Sequence, residues 1–188
     1  MDLNTVLLIG KPGSGKGTQA ALLAEKTGFQ VIASGDLFRA LMKEDTEVGA
    51  KMREEIEKGF LAPDWFAMYL FQKSVLNLSS TQGVIFDGFG RKVPEAKVVV
   101  DVLTWLGRPF TAVHVKVSDV EIIDRLEKRR DVSGRADDHA VDKRLDEYRI
   151  FTEPSIEVFR EAGKLVEVNG EGAVDAIQAE IRQKLNLG

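Results

Sequence analysis

An apolar run at residues 6–9, Val-Leu-Leu-Ile, leads directly into Gly10-Lys11-Pro12-Gly13-Ser14-Gly15-Lys16-Gly17-Thr18 and then into a segment of helical period over residues 19–26. Strand, glycine loop, lysine and helix in this order leave the chain few folds. The glycines let the backbone curl until successive N–H groups converge on an anion at a helix N-terminus, and Lys16 adds a point charge suited to the β- and γ-phosphates of a nucleotide. Thr18 offers a hydroxyl to the Mg²⁺ that accompanies such phosphates. The strict form of the loop has Ser or Thr immediately after the lysine, whereas here Gly17 intervenes. An empty glycine-rich surface loop would reproduce this spacing and context only by chance.

Further short, β-branched runs lie at residues 30–32, 84–86, 112–117 and 165–168. Between them Ala96, Val99, Val100, Leu103 and Leu106, and later Val174, Ile177, Ile181 and Leu185, recur at helical spacing. Ser118 and Glu121 have the spacing of a capping box. The alternation predicts a doubly wound α/β domain, a parallel five-stranded sheet flanked by helices, with its ligand site at the carboxyl ends of the strands. With 188 residues, 44% of them hydrophobic, the chain can bury one full core and is expected to form a single domain. Residues 128–139, charged and glycine-containing, are the candidate for a mobile flap.

Other classes are disfavoured. The sequence has no cysteine, which removes disulfides and thiolate metal sites. It starts without a basic leader, and residues 6–9 fall far short of the roughly 20 apolar residues of a membrane span, so a soluble cytoplasmic protein without a membrane partner is expected. A net charge of −4 and a pI near 5.4 oppose a broad nucleic-acid footprint. A focused cationic cluster must hold any polyanion, and a monomer is the default expectation.

The run Gly15-Lys16-Gly17-Thr18-Gln19 resembles the loop of the adenylate kinase family. Ala33-Ser34-Gly35-Asp36-Leu37-Phe38-Arg39 is similar to that family's monophosphate-binding motif, and Asp87-Gly88-Phe89-Gly90-Arg91 to its Asp-Gly-Phe-Pro-Arg motif. Arg125, Arg129, Ser133-Gly134-Arg135, Asp137-Asp138 and Lys143-Arg144-Leu145 are similar to its lid and the segment behind it. These motifs stand in the family's order over nearly the whole chain. The resemblance implies a P-loop NTPase fold with a mobile monophosphate-binding segment over residues 34–64 and a short lid over 129–138. It implies a kinase that moves a phosphoryl group reversibly from MgATP to AMP.

By the same resemblance, Gly13, Ser14, Gly15, Lys16, Gly17, Thr18, Arg125 and Arg129 would bind ATP. Ser34, Gly35, Arg39, Ala62, Gly88, Arg91, Glu95, Arg135 and Arg144 would bind the monophosphate. Lys16, Arg91, Arg129, Arg135 and Arg144 would surround the transferring group, and Thr18, Asp87 and Asp36 would hold Mg²⁺, partly through water. Asp137 and Asp138, beside Arg135, read either as solvated turn carboxylates or as partners of the arginines in one state of the lid, and not as catalytic groups. The chemistry suits these residue types, because phosphoryl transfer demands alignment and fixed positive charge, and guanidinium forks meet phosphate oxygens two at a time. A monophosphate acceptor is already largely ionised near neutrality, its second pKa being about 6, so no protein base is required. His114 and His139 are accordingly read as structural or surface residues, and Trp65 and Trp105 as packing residues.

The acceptor base is the open point. The hydroxyl of Ser34 favours AMP. Glu95 stands where the family has a Gln that reads adenine, and an ionised carboxylate would suit guanine better. Alternatively Glu95 faces solvent at the start of the helix after Pro94. Gly90 replaces the family's proline and is expected to loosen the backbone that positions Arg91 and Glu95. A UMP/CMP or GMP kinase, a hydrolysing P-loop switch and an inactive nucleotide-binding scaffold are the alternatives.

Overall fold

Val6 and Leu8 point to one side of the first strand and Leu7 and Ile9 to the other, and all are buried because helices cover both faces of the sheet. The computed structural model describes residues 3–58, 60–133 and 141–187. Five strands, β1 (Thr5–Gly10), β2 (Gln30–Ala33), β3 (Val84–Asp87), β4 (Phe110–Lys116) and β5 (Leu165–Asn169), form one parallel sheet in the order β2-β3-β1-β4-β5. The expected α/β architecture is therefore present, with β4 beginning two positions earlier than its apolar run because Phe110 pairs with Thr5.

The helices are α1 (Lys16–Thr27), α2 (Ser34–Met42), α3 (Glu47–Glu57), α4 (Asp64–Leu76), α5 (Val93–Trp105), α6 (Asp119–Ser133), α7 (Val141–Glu147), α8 (Glu153–Glu161) and α9 (Val174–Leu185), with a π-helical turn over Tyr148–Thr152 between α7 and α8. One face of the sheet buries Leu7, Ile9 and Phe86 with α4, α5 and α8; the other buries Val6, Leu8 and Ile85 with α1, α6 and α9. Each fully buried Phe or Leu contributes about 1.5–3 kcal/mol.

The chain leaves β1 toward β2 on one side and leaves β3 toward β4 on the other. Between β1 and β3 the connections diverge, opening a crevice at the carboxyl ends. Register sets Asp87 level with Leu8 and Ala33, so the loops after all three strands meet there. Phe86 and Phe89, on either side of the β3 loop, both pack on Phe71 of α4 at ring separations of 5.1 and 5.8 Å, which anchors that loop.

Three expectations need correction. The capping box at α6 is only half formed: Ser118 Oγ accepts the Glu121 N–H at 3.4 Å, but the Ser118 N–H goes to Glu171 at 2.7 Å because Glu121 is drawn to Arg125. Trp65 and Trp105 are not packing residues; they are 67% and 81% exposed. Gly90 does not loosen its loop. Its φ of 71° is closed to proline, a Cβ there would meet Phe159 at 2.9 Å, and its carbonyl accepts from Ser155 Oγ at 2.9 Å. Among the described residues no helix is long and apolar enough to cross a membrane.

Candidate active site

The loop between β1 and α1 ends at Gly15, whose φ of 89° reverses the backbone into the first turn of α1. Lys16 folds back over the loop, donating to the carbonyls of Gly10 at 2.9 Å and Lys11 at 2.7 Å, so its charge stands at the centre of the cradle. Lys11 points outward, held by the Val117 carbonyl at 2.9 Å and by Asp119 at 2.5 Å, and Asp119 is in turn bound by Arg149 at 2.7 Å. This tether of the loop to α6 has no sequence signature, since its partners lie more than a hundred positions apart.

The loop opens into a cavity of about 980 Å³. Its lining joins Gly13 to Thr18, Ser34, Gly35, Asp36, Arg39, Ala62, Asp87, Gly88, Arg91, Glu95, Arg125 and Arg144. Arg129 lies in α6, one turn beyond Arg125. Arg135, Asp137, Asp138 and His139 lie outside the described residues, as does most of the expected lid.

Each cation on this wall has a support. Arg125 donates to Glu121 at 2.7 Å and to the Gly170 carbonyl at 3.0 Å, which fixes its guanidinium beside Gly15. Arg91 Nε donates to the Gly88 carbonyl at 2.7 Å, and the Ser34 hydroxyl donates to the same oxygen at 2.9 Å. The Ser34 hydroxyl thus serves the loop that carries Arg91. Arg39 is paired with Asp36 at 2.5 Å, so the Asp36 carboxylate is turned toward that guanidinium.

Asp87 is suited to a cation. Its Oδ1 is buried without a hydrogen-bond partner among the described residues, and its Oδ2 lies where a Cβ on Gly17 would come within 3.7 Å. A buried, unpartnered carboxylate oxygen costs free energy unless something positive reaches it. Gly17 keeps open the space between this carboxylate and the start of α1. Among the described residues no group of three His, Cys, Asp or Glu side chains could hold a metal, so an ion here would rely on phosphate and water for the rest of its shell.

Glu95 does not face solvent. It is 4% exposed and accepts the Arg91 N–H at 2.9 Å. Burial pushes its carboxyl from 4.5 up to about 7, against the lowering effects of the Arg91 N–H and the charges of Arg91 and Lys92. His114 lies apart from this wall, between Tyr148 Oη at 3.0 Å and Glu167 at 3.3 Å, a structural setting in which burial lowers its pKa.

A glycine loop with its lysine and further arginines on the wall of one cavity is an arrangement suited to passing a group between two bound anions. That places the chain among the P-loop phosphotransferases. The family model for adenylate kinase matches residues 8–164. The chain is 36% identical to the adenylate kinase of Parabacteroides distasonis over 96% of its own length and 97% of the relative's. It is 38% identical to that of Porphyromonas gingivalis over 94% and 92%, and 35% identical to that of Thermus thermophilus over 97% of each. The chain belongs to the adenylate kinase family and is a nucleoside monophosphate kinase.

Proposed function

We propose that the chain transfers the γ-phosphoryl group of MgATP directly to AMP, forming two ADP, and runs the reverse reaction through the same site. The supporting observation is the single cavity that holds both the glycine cradle with Lys16 and the pair Arg39 and Arg91. ATP phosphates lie along the loop N–H groups and Lys16, with Arg125 beside the base. The AMP phosphate lies against Arg39 and Arg91. Its ionised oxygen attacks in line: a new P–O bond forms to the γ-phosphorus as the bond to the ADP leaving group breaks. Lys16, Arg91 and Arg144 meet the charge spread over the moving group, and Arg129 and Arg135 are assigned beside them.

Mg²⁺ fits the unpartnered Asp87 oxygen in the cavity that Thr18 also lines. Thr18, Asp87 and Asp36 would hold it, partly through water, and bound there it would neutralise phosphate charge. Asp36 would then share its carboxylate between that shell and Arg39. Residues 34–64 and the lid over 129–138 close when both nucleotides are present, which keeps water from taking the phosphoryl group.

The test is diphosphate formation from MgATP with AMP, GMP, CMP and UMP in parallel. Preference for AMP is expected. Preference for a pyrimidine overturns the acceptor while keeping the kinase, and ATP loss that no monophosphate stimulates overturns the transfer.

A further inference from the structure

Glu95 is buried where an anion is expensive, yet it remains on the wall of a ligand cavity. Arg91 engages only Oε2 and leaves Oε1 without a hydrogen bond among the described residues. Phe38, Met42, Ile56 and Ala67 add apolar side chains to the lining of the same cavity, the kind of surface a flat ring packs on. The charged groups facing Glu95 are Arg91 and Lys92 around the start of α5 and Asp64 at the start of α4. Lys92 is drawn off by Asp64 at 2.7 Å and by the Ala62 carbonyl at 3.2 Å, so Glu95 gains no close ion pair from it. Arg39 and Glu147 share the cavity.

We propose that Glu95 selects the acceptor base as a neutral carboxylic acid: Oε1–H donates to adenine N1 while Oε2, keeping its Arg91 bond, accepts from the N6 amino group. Oε2 has the second lone pair this requires. Loss of the proton leaves two acceptors, which repel adenine N1 and match the N1–H and N2 amino donors of guanine. Acceptor choice is thereby tied to pH. The inference rests on the cavity being the acceptor site. Burial holds the carboxyl at about 7, so both forms are populated near neutrality.

The experiment measures kcat/KM for AMP and for GMP, with saturating MgATP, from about pH 6 to about pH 8.5. In the wild type the AMP-to-GMP ratio is expected to fall about tenfold or more across that range. In Glu95→Gln, whose amide donates and accepts at every pH, the ratio is expected to stay level. A level wild-type ratio, or a variant ratio that falls in parallel, overturns the proposal and leaves Glu95 as a cap for the Arg91 N–H. Calorimetry of AMP binding in two buffers of different ionisation heat gives a readout that pure capping would not move. The wild type should take up more protons than Glu95→Gln above pH 7, and equal uptake counts against the proposal. Absence of diphosphate from every monophosphate would instead remove the kinase reading itself.

Discussion

Glu147 Oε2, at the end of α7, accepts the backbone N–H of Leu61 at 3.2 Å across 86 positions of sequence. Its other oxygen is paired with Lys143 at 3.2 Å, and Lys143 lies over the ring of Phe60 at 4.4 Å. Lys92, from the opposite side, holds the Ala62 carbonyl and Asp64. The segment entering α4 is thus clasped between the arginine-bearing helix α7 and the loop that carries Arg91.

Removing one side of that clasp should loosen the acceptor site before it affects ATP. Glu147→Ala is expected to raise the KM for AMP several-fold, with a smaller change for ATP. It should also lower stability by about 1–3 kcal/mol through the unpaired Leu61 N–H and Lys143. Glu147→Gln, which keeps an acceptor, should recover most of the loss. Steady-state kinetics and thermal melts of both variants check this.

Asp87 should govern the metal requirement. Asp87→Asn keeps the shape but removes the charge beside Gly17. The Mg²⁺ concentration for half-maximal rate is expected to rise roughly 10–100-fold, measured by Mg²⁺ titration at fixed ATP. An unchanged Mg²⁺ dependence would take Asp87 out of the ion's shell.

Gly90 should tolerate no side chain. At a φ of 71°, with Phe159 2.9 Å from the Cβ position, Gly90→Ala combines backbone strain with a core clash. Unfolding in denaturant should reveal a loss of about 2 kcal/mol or more. Because Arg91 follows directly, phosphoryl transfer should fall beyond what the stability change explains.

The elevated Glu95 pKa also makes stability depend on pH. Between its unfolded value of 4.5 and its folded value of about 7 the native state retains a proton that the unfolded chain has released. The group therefore destabilises the fold progressively as pH rises through this window, reaching about 3 kcal/mol above it. Relative to wild type, Glu95→Gln should gain stability from about pH 5 to about pH 8, followed by urea denaturation at each pH. A constant difference between the two proteins would show that the Glu95 carboxyl titrates normally.

Sequence alone determined the features written in neighbouring residues. The buried run before Gly10 and the glycine spacing up to Thr18 specify a strand, a cradle and a helix because each depends on local backbone conformation and on side-chain period. The alternation of apolar runs with helical segments likewise specified the parallel sheet. Only tertiary structure decided which polar groups are out of water and which partners they meet. Arg108, from an unremarkable position after α5, is buried under the opposite end of the sheet, donating to the carbonyls of Ser79 at 2.9 Å and Gln82 at 2.7 Å. Ser155 reaches Gly90 across 65 positions, and Glu147 reaches Leu61 across 86. Glu95 carries no mark in the sequence of being buried, and its proton follows from that burial: desolvation is a property of the surrounding atoms, which only the folded chain brings together.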